Sequence, residues 1–348
     1  MSTLPPARSP GGGQLSLEET IARLQRLADH VVPLTVRAIA QAGIADLLKD
    51  GPRPVEELAA ASGTHAPSLC RALRALAASG IFTEVDRGCF GLTPMAQLLR
   101  SDHPLSMRDL YPLMDADLLA WAHVDHTIAT GEAAFPHVHG QQYYDFLATH
   151  PEHAARFDRA VETQARLVLR TLLGVYDWAR CGTIVDVAAG TGVFLAGLLR
   201  RYRQLRGVVF DLPHVVARAP AVLAAAGVTE RCAVVAGSFF DAVPAGGDTY
   251  LLKTILHDWD DEHALRILRA IHRSMAPGSR LLVLEALLPP GDEFHPGKLI
   301  DLHSLVLVRG EERDRDQLAR LVTSGGFEVV AVTTTNHLSV LEARPATA

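Results

Sequence analysis

TIVDVAAGTGVFLAGLLRRYRQLRGVVFD, Thr183 to Asp211, is the stretch on which the fold turns. Thr183–Val187 is short, apolar and β-branched, as a parallel strand buried on both faces must be. Ala188-Ala189-Gly190-Thr191-Gly192 follows, small residues where the chain turns sharply and a ligand can come close to backbone. Val193–Tyr202 resumes with helical spacing. Gly207–Phe210 is a second apolar strand, and Asp211 closes it 19 residues after Gly192. Strand, tight turn, helix, strand and acid make the first βαβ unit of a nucleotide-binding sheet. The acid is placed to accept hydrogen bonds from ribose hydroxyls.

The turn selects the nucleotide. The stretch lacks G-x-G-x-x-G, the dinucleotide fingerprint. It carries Asp186 just before the small residues, and a carboxylate there would repel a pyrophosphate. It would suit a ligand with an ammonium group and no phosphate, which describes S-adenosylmethionine. The competing readings are a dinucleotide site and a plain packing turn.

Downstream, strand and helix alternate as a doubly wound sheet requires. The expected elements are helix Pro213–Ala226, strand Ala233–Val235, strand Thr249–Lys253, helix Asp261–Met275 and strand Arg280–Glu285. Helices Lys298–Val308 and Asp314–Ser324 follow, then a closing hairpin, Phe327–Thr334 with Leu338–Leu341. Ligands bind beyond the carboxyl ends of such strands. Asp186, Asp211, Ser238, Phe239, His257 and Glu285 all fall there. His257 is a candidate base, because a phenol of pKa about 10 needs help to ionise near neutral pH. Glu285 or Glu312 could hold its second ring nitrogen. The plain alternative is a helix-start histidine on the rim.

Upstream, Leu15–Leu48 has helical spacing. Pro54–Leu58 and Ala66–Ser79 read as two more helices. Gly80–Val85 and Cys89–Leu92 form a hairpin around Asp86-Arg87-Gly88. Helix, turn, helix and hairpin is a winged-helix pattern. Leu15–Asp102 holds nine Arg/Lys against ten Asp/Glu, and the would-be recognition helix offers only Arg71 and Arg74. A dimerising use is therefore expected over DNA binding. Pro104–Leu173 is helical and rich in histidine. His123 with His126, or His137 with His139, could pair on a metal, but no cysteines or carboxylates complete a set. Cavity-lining histidines beside Tyr143, Tyr144, Phe146 and Phe157 suit an aromatic ligand.

The whole-chain numbers agree. There are 348 residues, 48% hydrophobic, with net charge −6, which speaks against a polyanionic partner. No apolar run approaches 18 residues, so no membrane partner or span is expected. Residues 1–14 read as a disordered leader without a secretory signal. Cys70, Cys89, Cys181 and Cys232 are scattered and fit reduced thiols in a cytoplasmic protein. Arginine greatly outnumbers lysine, as in GC-rich bacteria.

HDWDDEHALRILRAI at His257–Ile271, FDLPHVV at Phe210–Val216 and GSFFDAVP at Gly237–Pro244 resemble the O-methyltransferases of the plant caffeate and acetylserotonin type. Bacterial relatives of these tailor polyketides and other aromatic natural products in antibiotic biosynthesis. The resemblance runs from about Leu15 to Leu341. It implies an α/β fold: a class I methyltransferase (Rossmann-like) doubly wound sheet after an N-terminal all-helical winged-helix dimerisation domain. The expected division is 15–105 for dimerisation, 106–175 for a helical linker that contributes to the substrate pocket, and 176–348 for the cofactor-binding domain. The family's sites fall on Asp186, Ala188, Gly190 and Gly192 at the methionine end of S-adenosylmethionine and on Asp211 and Leu212 at the ribose. Ser238 and Phe239 fall by the adenine, and Lys253 also contacts the cofactor. His257 is the implied general base for in-line methyl transfer, flanked by Glu285 and Glu312. S-adenosylhomocysteine is the implied product. Asp258 touches substrate, with Tyr144 and Phe157 as aromatic lining. No metal, no nucleic acid and a homodimer are expected. Ala188 and Ala189 stand where the family has glycine, and Ser238 where it has aspartate. Each methyl crowds the turn, and a positive φ there would add strain. The other readings are a cofactor-retaining relative doing hydroxylation or decarboxylation, and a non-catalytic winged-helix regulator.

Overall fold

The computed structural model describes residues 15–110 and 115–346; the expected leader at 1–14 lies outside them. The chain divides into two compact units, 1–113 and 114–348.

In the first unit, α1 (Leu17–Leu27) opens with a capping box between Ser16 and Glu19 and buries none of its residues. Leu17, Leu24 and Leu27 are exposed along it. The helical stretch expected over Leu15–Leu48, with an end at Gly43, is broken once more before that point. Asp29 takes the amides of Val31 and Val32, starting a new helix. Gly43, at φ +69°, then separates α2 (Val31–Gln41) from α3 (Ile44–Leu47). Next come β1 (Arg53–Pro54), α4 (Val55–Ser62), α5 (Ala66–Ala78), β2 (Phe82–Asp86), β3 (Cys89–Leu92) and α6 (Pro94–Gln97). The strands pair antiparallel in the order β1-β3-β2, so the expected hairpin gains a two-residue third strand. Leu58, Leu69, Leu73, Leu76, Phe82 and Phe90 form the core between helices and sheet. Arg74 on α5 is gripped by Glu84 on β2, with Nη2 2.7 Å from Oε1. That guanidinium and the Gly88 amide hold the Glu84 carboxyl down at about 2.

The second unit begins with five helices: α7 (Asp115–Trp121), α8 (Val124–Thr130), α9 (Ala134–His139), α10 (Tyr143–Thr149) and the long α11 (Pro151–Leu172). Ala120, Phe135, Tyr143 and Phe146 pack together with Val306. Several of the histidines stack on neighbouring rings. The rings of His126 and His137 stack face to face at 3.9 Å, and His150 stacks on Phe146 at 3.8 Å. Stacked imidazoles do not converge their nitrogens on one point. Among the described residues, the one group of three side chains close enough to share a cation is elsewhere, at His257, Glu285 and Glu312.

The sheet follows. Its strands are β4 (Thr183–Val187), β5 (Arg206–Asp211), β6 (Cys232–Ala236), β7 (Thr249–Lys253), β8 (Arg280–Glu285), β9 (Phe327–Thr333) and β10 (Ser339–Pro345). Their order is β6-β5-β4-β7-β8-β10-β9. The first five are parallel, and β10 runs antiparallel to both β8 and β9. Successive side chains face opposite sides. Ile184, Val209, Leu251 and Leu282 enter one core, while Val185, Phe210, Tyr250 and Leu281 enter the other. Burial on both faces is why these strands are almost wholly apolar. The helices are α12 (Val193–Arg201), α13 (Pro213–Val216), α14 (Ala219–Ala225), α15 (Asp261–Ser274), α16 (Pro296–Val308) and α17 (Arg315–Ser324). The single helix expected over Pro213–Ala226 is two. Pro220 has no amide hydrogen and its ring excludes the preceding turn, so it sits in the first turn of a new helix.

Candidate active site

β4 and β5 lie side by side, β4 also pairs with β7 where the strand order reverses, and the carboxyl ends of β4 and β5 form one rim. Asp186, near the end of β4, is 1% exposed, and its Oδ2 has no hydrogen-bond partner. Burial pushes its carboxyl up to about 7, against the pull of Lys253. Ala188 then takes φ +58°, Gly190 φ +61° and Gly192 φ +78°. A Cβ at Gly192 would lie 2.7 Å from Val209, so only glycine lets α12 start this close to β5. Asp211 accepts the Gly190 amide at 2.8 Å on one oxygen and its neighbour Leu212's amide at 2.7 Å on the other. Burial raises its pKa and those two amides oppose the rise. The Thr191 hydroxyl donates to Glu162 on α11 at 2.9 Å. Arg218 joins Glu162 to Asp158.

After β6, Ser238 accepts the Phe240 amide at 3.2 Å. The Phe239 ring meets Phe240 and Trp259 edge-on. Lys253 ends β7 in a buried position. Desolvation lowers its pKa, while Asp186, Glu285 and Asp258 resist that.

From β7 the chain turns through a short 3-10 turn, Leu256–Asp258. Glu285, at the end of β8, spends one oxygen on the amides of Ile255 and Leu256, at 3.0 and 2.9 Å. Burial holds its carboxyl high, at about 7. Of the two carboxylates expected beside His257, Glu312 makes the hydrogen bond. His257 Nδ1–H donates to Glu312 Oε1 at 2.6 Å, and Glu312 is itself held by its amide on Asp301 at 2.8 Å. Asp258 Oδ1 stands 3.5 Å from the other ring nitrogen, Nε2. Burial alone would lower the imidazole's pKa. Asp258, Glu285 and Glu312 outweigh it and push the group up to about 10.

Aromatic side chains flank this triad. The Tyr144 hydroxyl donates to Asp258 Oδ2 at 2.6 Å, and its ring stacks on Trp259. Phe157 sits edge-on to Tyr143 and Tyr144. Trp121 Nε1–H donates to His303 on α16 at 3.0 Å.

Ala188, Thr254 and Arg309 are the non-glycine residues with positive φ among those described. Ala188 lies in the turn between β4 and α12, Thr254 between Lys253 and the His257 turn, and Arg309 before Gly310. Backbone strain of this kind collects at functional sites.

Three residues here escaped the sequence reading. Glu162 and Arg313 act across dozens of residues and Asp301 across 11, and no local pattern marks Glu162 or Asp301. Arg313 stands in the Gly310–Arg313 segment, and its adjacency to Glu312 was the one available signal.

A parallel sheet of this order with an antiparallel closing hairpin, and with acids along its carboxyl rim, defines a class I methyltransferase. Residues 121–328 match the O-methyltransferase domain family and residues 24–102 the O-methyltransferase dimerisation domain. The chain belongs to the O-methyltransferase family and is an enzyme of that family. It is 43% identical to the phenazine O-methyltransferase of Lysobacter antibioticus, over 92% of this chain and 95% of that one. An O-methyltransferase from neocarzinostatin biosynthesis, crystallised with S-adenosylmethionine and 2-hydroxy-5-methyl naphthoic acid, superimposes with a TM-score of 0.79. That pair is 35% identical and covers 93% of this chain and 98% of that one. The aclacinomycin 10-hydroxylase of Streptomyces purpurascens is 30% identical over 91% of this chain and 87% of that one.

Proposed function

We propose that the protein is an S-adenosylmethionine-dependent O-methyltransferase that acts on a hydroxyl of an aromatic natural product, with His257 as the general base. The observation that carries this is the 2.6 Å contact between His257 and Glu312, on the same rim of the sheet as Asp186 and Asp211. The aromatic acceptors in the names of the phenazine and neocarzinostatin relatives support the substrate class.

The donor set fits the cofactor. Asp186 offers a buried carboxylate oxygen without a partner, suited to an ammonium. Asp211 offers two oxygens at the end of β5 for ribose hydroxyls. Ala188, Gly190 and Gly192 line the turn at the methionine end, and a Cβ at Gly190 would meet nothing within 4 Å. Leu212, Ser238, Phe239 and Lys253 complete the assignment. When bound, S-adenosylmethionine supplies a methyl group activated by its sulfonium. The protein's part is acid–base and positional. Glu312 occupies Nδ1, so Nε2 is left to take the proton of the acceptor hydroxyl, and Glu312 stabilises the imidazolium that results. A base raised to about 10 is matched to a phenol of about 10, so the proton moves with little uphill cost. Asp258, Tyr144 and Phe157 hold the acceptor's ring. Much of the rate comes from alignment, worth up to ~7–11 kcal/mol. We assign no metal to the triad: a proton joins His257 Nδ1 to Glu312 Oε1, and Glu285 Oε1 takes two backbone amides.

The hydroxylase relative keeps open an oxygen-adding reaction on a similar substrate. The two differ in what the product gains, a methylene or an oxygen. A homodimer through the exposed apolar face of α1 accompanies the assignment. No nucleic-acid partner is assigned, because Glu84 neutralises Arg74. Among the described residues no helix is long and apolar enough to cross a membrane, and residence in the cytoplasm is part of the proposal.

Calorimetric titration with S-adenosylmethionine and S-adenosylhomocysteine comes first, then a mass-shift screen of phenolic acceptors. Binding of both and a methylated product support the proposal. Failure of both to bind sinks it.

A further inference from the structure

The segment that carries Glu312 is stitched to the turn that carries His257. Arg313 is 5% exposed. Its Nη1 donates to the Leu256 carbonyl at 2.9 Å and its Nη2 to the Trp259 carbonyl at 2.9 Å. Those two carbonyls bracket His257 and Asp258. Nε and Nη2 also donate to Asp261 Oδ1, at 3.1 and 2.8 Å. Nη1 reaches back to the Glu311 carbonyl at 3.3 Å. The Glu311 amide donates to the His257 carbonyl at 2.8 Å. A Cβ at Gly310 would overlap that same carbonyl oxygen and approach Asp258 Cα to 3.1 Å. The two backbones therefore touch at Gly310, and the guanidinium spans the gap beyond it.

We propose that Arg313 is a positioning residue for the reaction. Its planar fork fixes the Leu256–Trp259 turn against the Glu312 segment and so sets the His257–Glu312 contact. The proposal rests on His257 being the base. A guanidinium is the side chain for this work, because it presents several donors in one rigid plane. A lysine ammonium gathers its three donors at one point on a flexible stem, so it lacks the fixed planar spread that reaches Leu256, Trp259 and Asp261 together. The cost of losing the fork follows from geometry: a misplacement of about 1 Å can cost about 10²-fold in rate.

The test uses Arg313→Met and Arg313→Lys in the full chain. The first readout needs no turnover: the far-downfield proton NMR signal of His257 Nδ1–H, bound to a carboxylate at short range. Arg313→Met is expected to lose it or move it upfield. The second readout is kcat against pH. Arg313→Met is expected to lower kcat about 10²-fold and to move the acid limb to lower pH, because Glu312 no longer supports the imidazolium. KM for the cofactor stays near wild type. Arg313→Lys falls between. If Arg313→Met does not fold, Asp261→Asn replaces it. That side chain is 71% exposed, and its loss should lower kcat severalfold and shift the limb the same way. Variants that only lose thermal stability, with the downfield signal and the pH profile unchanged, overturn the proposal. A wild-type protein that methylates no acceptor would overturn the base reading instead, and the NMR comparison would still judge the contact.

Discussion

The Tyr144 hydroxyl donates to Asp258 Oδ2 at 2.6 Å, while Asp258 Oδ1 stands 3.5 Å from His257 Nε2. One carboxylate thus lies between a phenol and the ring nitrogen proposed to take the acceptor's proton. Tyr144 draws Asp258 away from that nitrogen. In Tyr144→Phe the carboxylate loses this donor and swings toward the imidazolium, where it competes with the acceptor. A charge-assisted hydrogen bond is worth about 1.5–3 kcal/mol, so KM for the acceptor should rise about tenfold with cofactor affinity unchanged. Steady-state kinetics beside calorimetry separate the two. An unchanged KM would leave Tyr144 as a wall and nothing more.

The pH dependence of turnover should report the anions around His257. Its imidazole is raised to about 10 despite burial, by Asp258, Glu285 and Glu312. At neutral pH it is mostly protonated in the free enzyme, so kcat/KM should climb with pH and level off on the alkaline side. Removing one anion lowers the imidazolium pKa. Glu312→Gln should therefore move the limb to lower pH while cutting the maximum rate. His257→Ala should lose about 10²–10⁴-fold with cofactor binding intact. A limb that stays in place in Glu312→Gln would show that Glu312 does not control the base.

Asp186 makes a different prediction, on affinity. Its carboxyl sits at about 7 because it is buried, and a cationic ligand binds only the ionised form. Below pH 7 the ligand must compete with a proton. Binding of S-adenosylmethionine should weaken by up to about tenfold per pH unit as the pH falls toward 5. Asp186→Asn should bind weakly at every pH, with that slope gone. Calorimetry at pH 5.5, 7 and 8 reads both. A flat profile in the wild type would remove Asp186 from the ammonium.

How far the site could be read from the chain depended on the range of each interaction. β7 (Thr249–Lys253) and β8 (Arg280–Glu285) stood out because a strand buried on both faces is apolar through its middle. His257 stood out because it follows one of them. The choice between Glu285 and Glu312 was not legible. Glu312 lies 55 residues beyond His257, and a charge on a loop carries no periodicity. The bond between Tyr144 and Asp258 spans 114 residues; both residues were picked out, but not as partners. Pro220 was a local signal that was overlooked, and it broke the expected Pro213–Ala226 helix.

Ala188 was legible as a departure from the family pattern, and its conformation turns that departure into an energy. It holds φ +58°, whereas Ala189 is not among the positive-φ residues. A left-handed conformation costs a residue with a Cβ about 1–2 kcal/mol. Glycine avoids that cost but loses about 0.5–1 kcal/mol more in backbone entropy. Ala188→Gly should therefore gain up to about 1 kcal/mol, a rise in Tm of about 1–3 °C for a domain of this size. Ala189→Gly changes the same atoms one residue on, where no strain is relieved. It pays the entropy and also loses the packing of the Ala189 methyl on the core, so its Tm should fall. Calorimetric melting of the pair, side by side, makes the comparison. Equal shifts of the same sign would show that the turn does not hold Ala188 under strain. Opposite shifts, with cofactor affinity held or improved in Ala188→Gly, would place that strain in the cofactor turn.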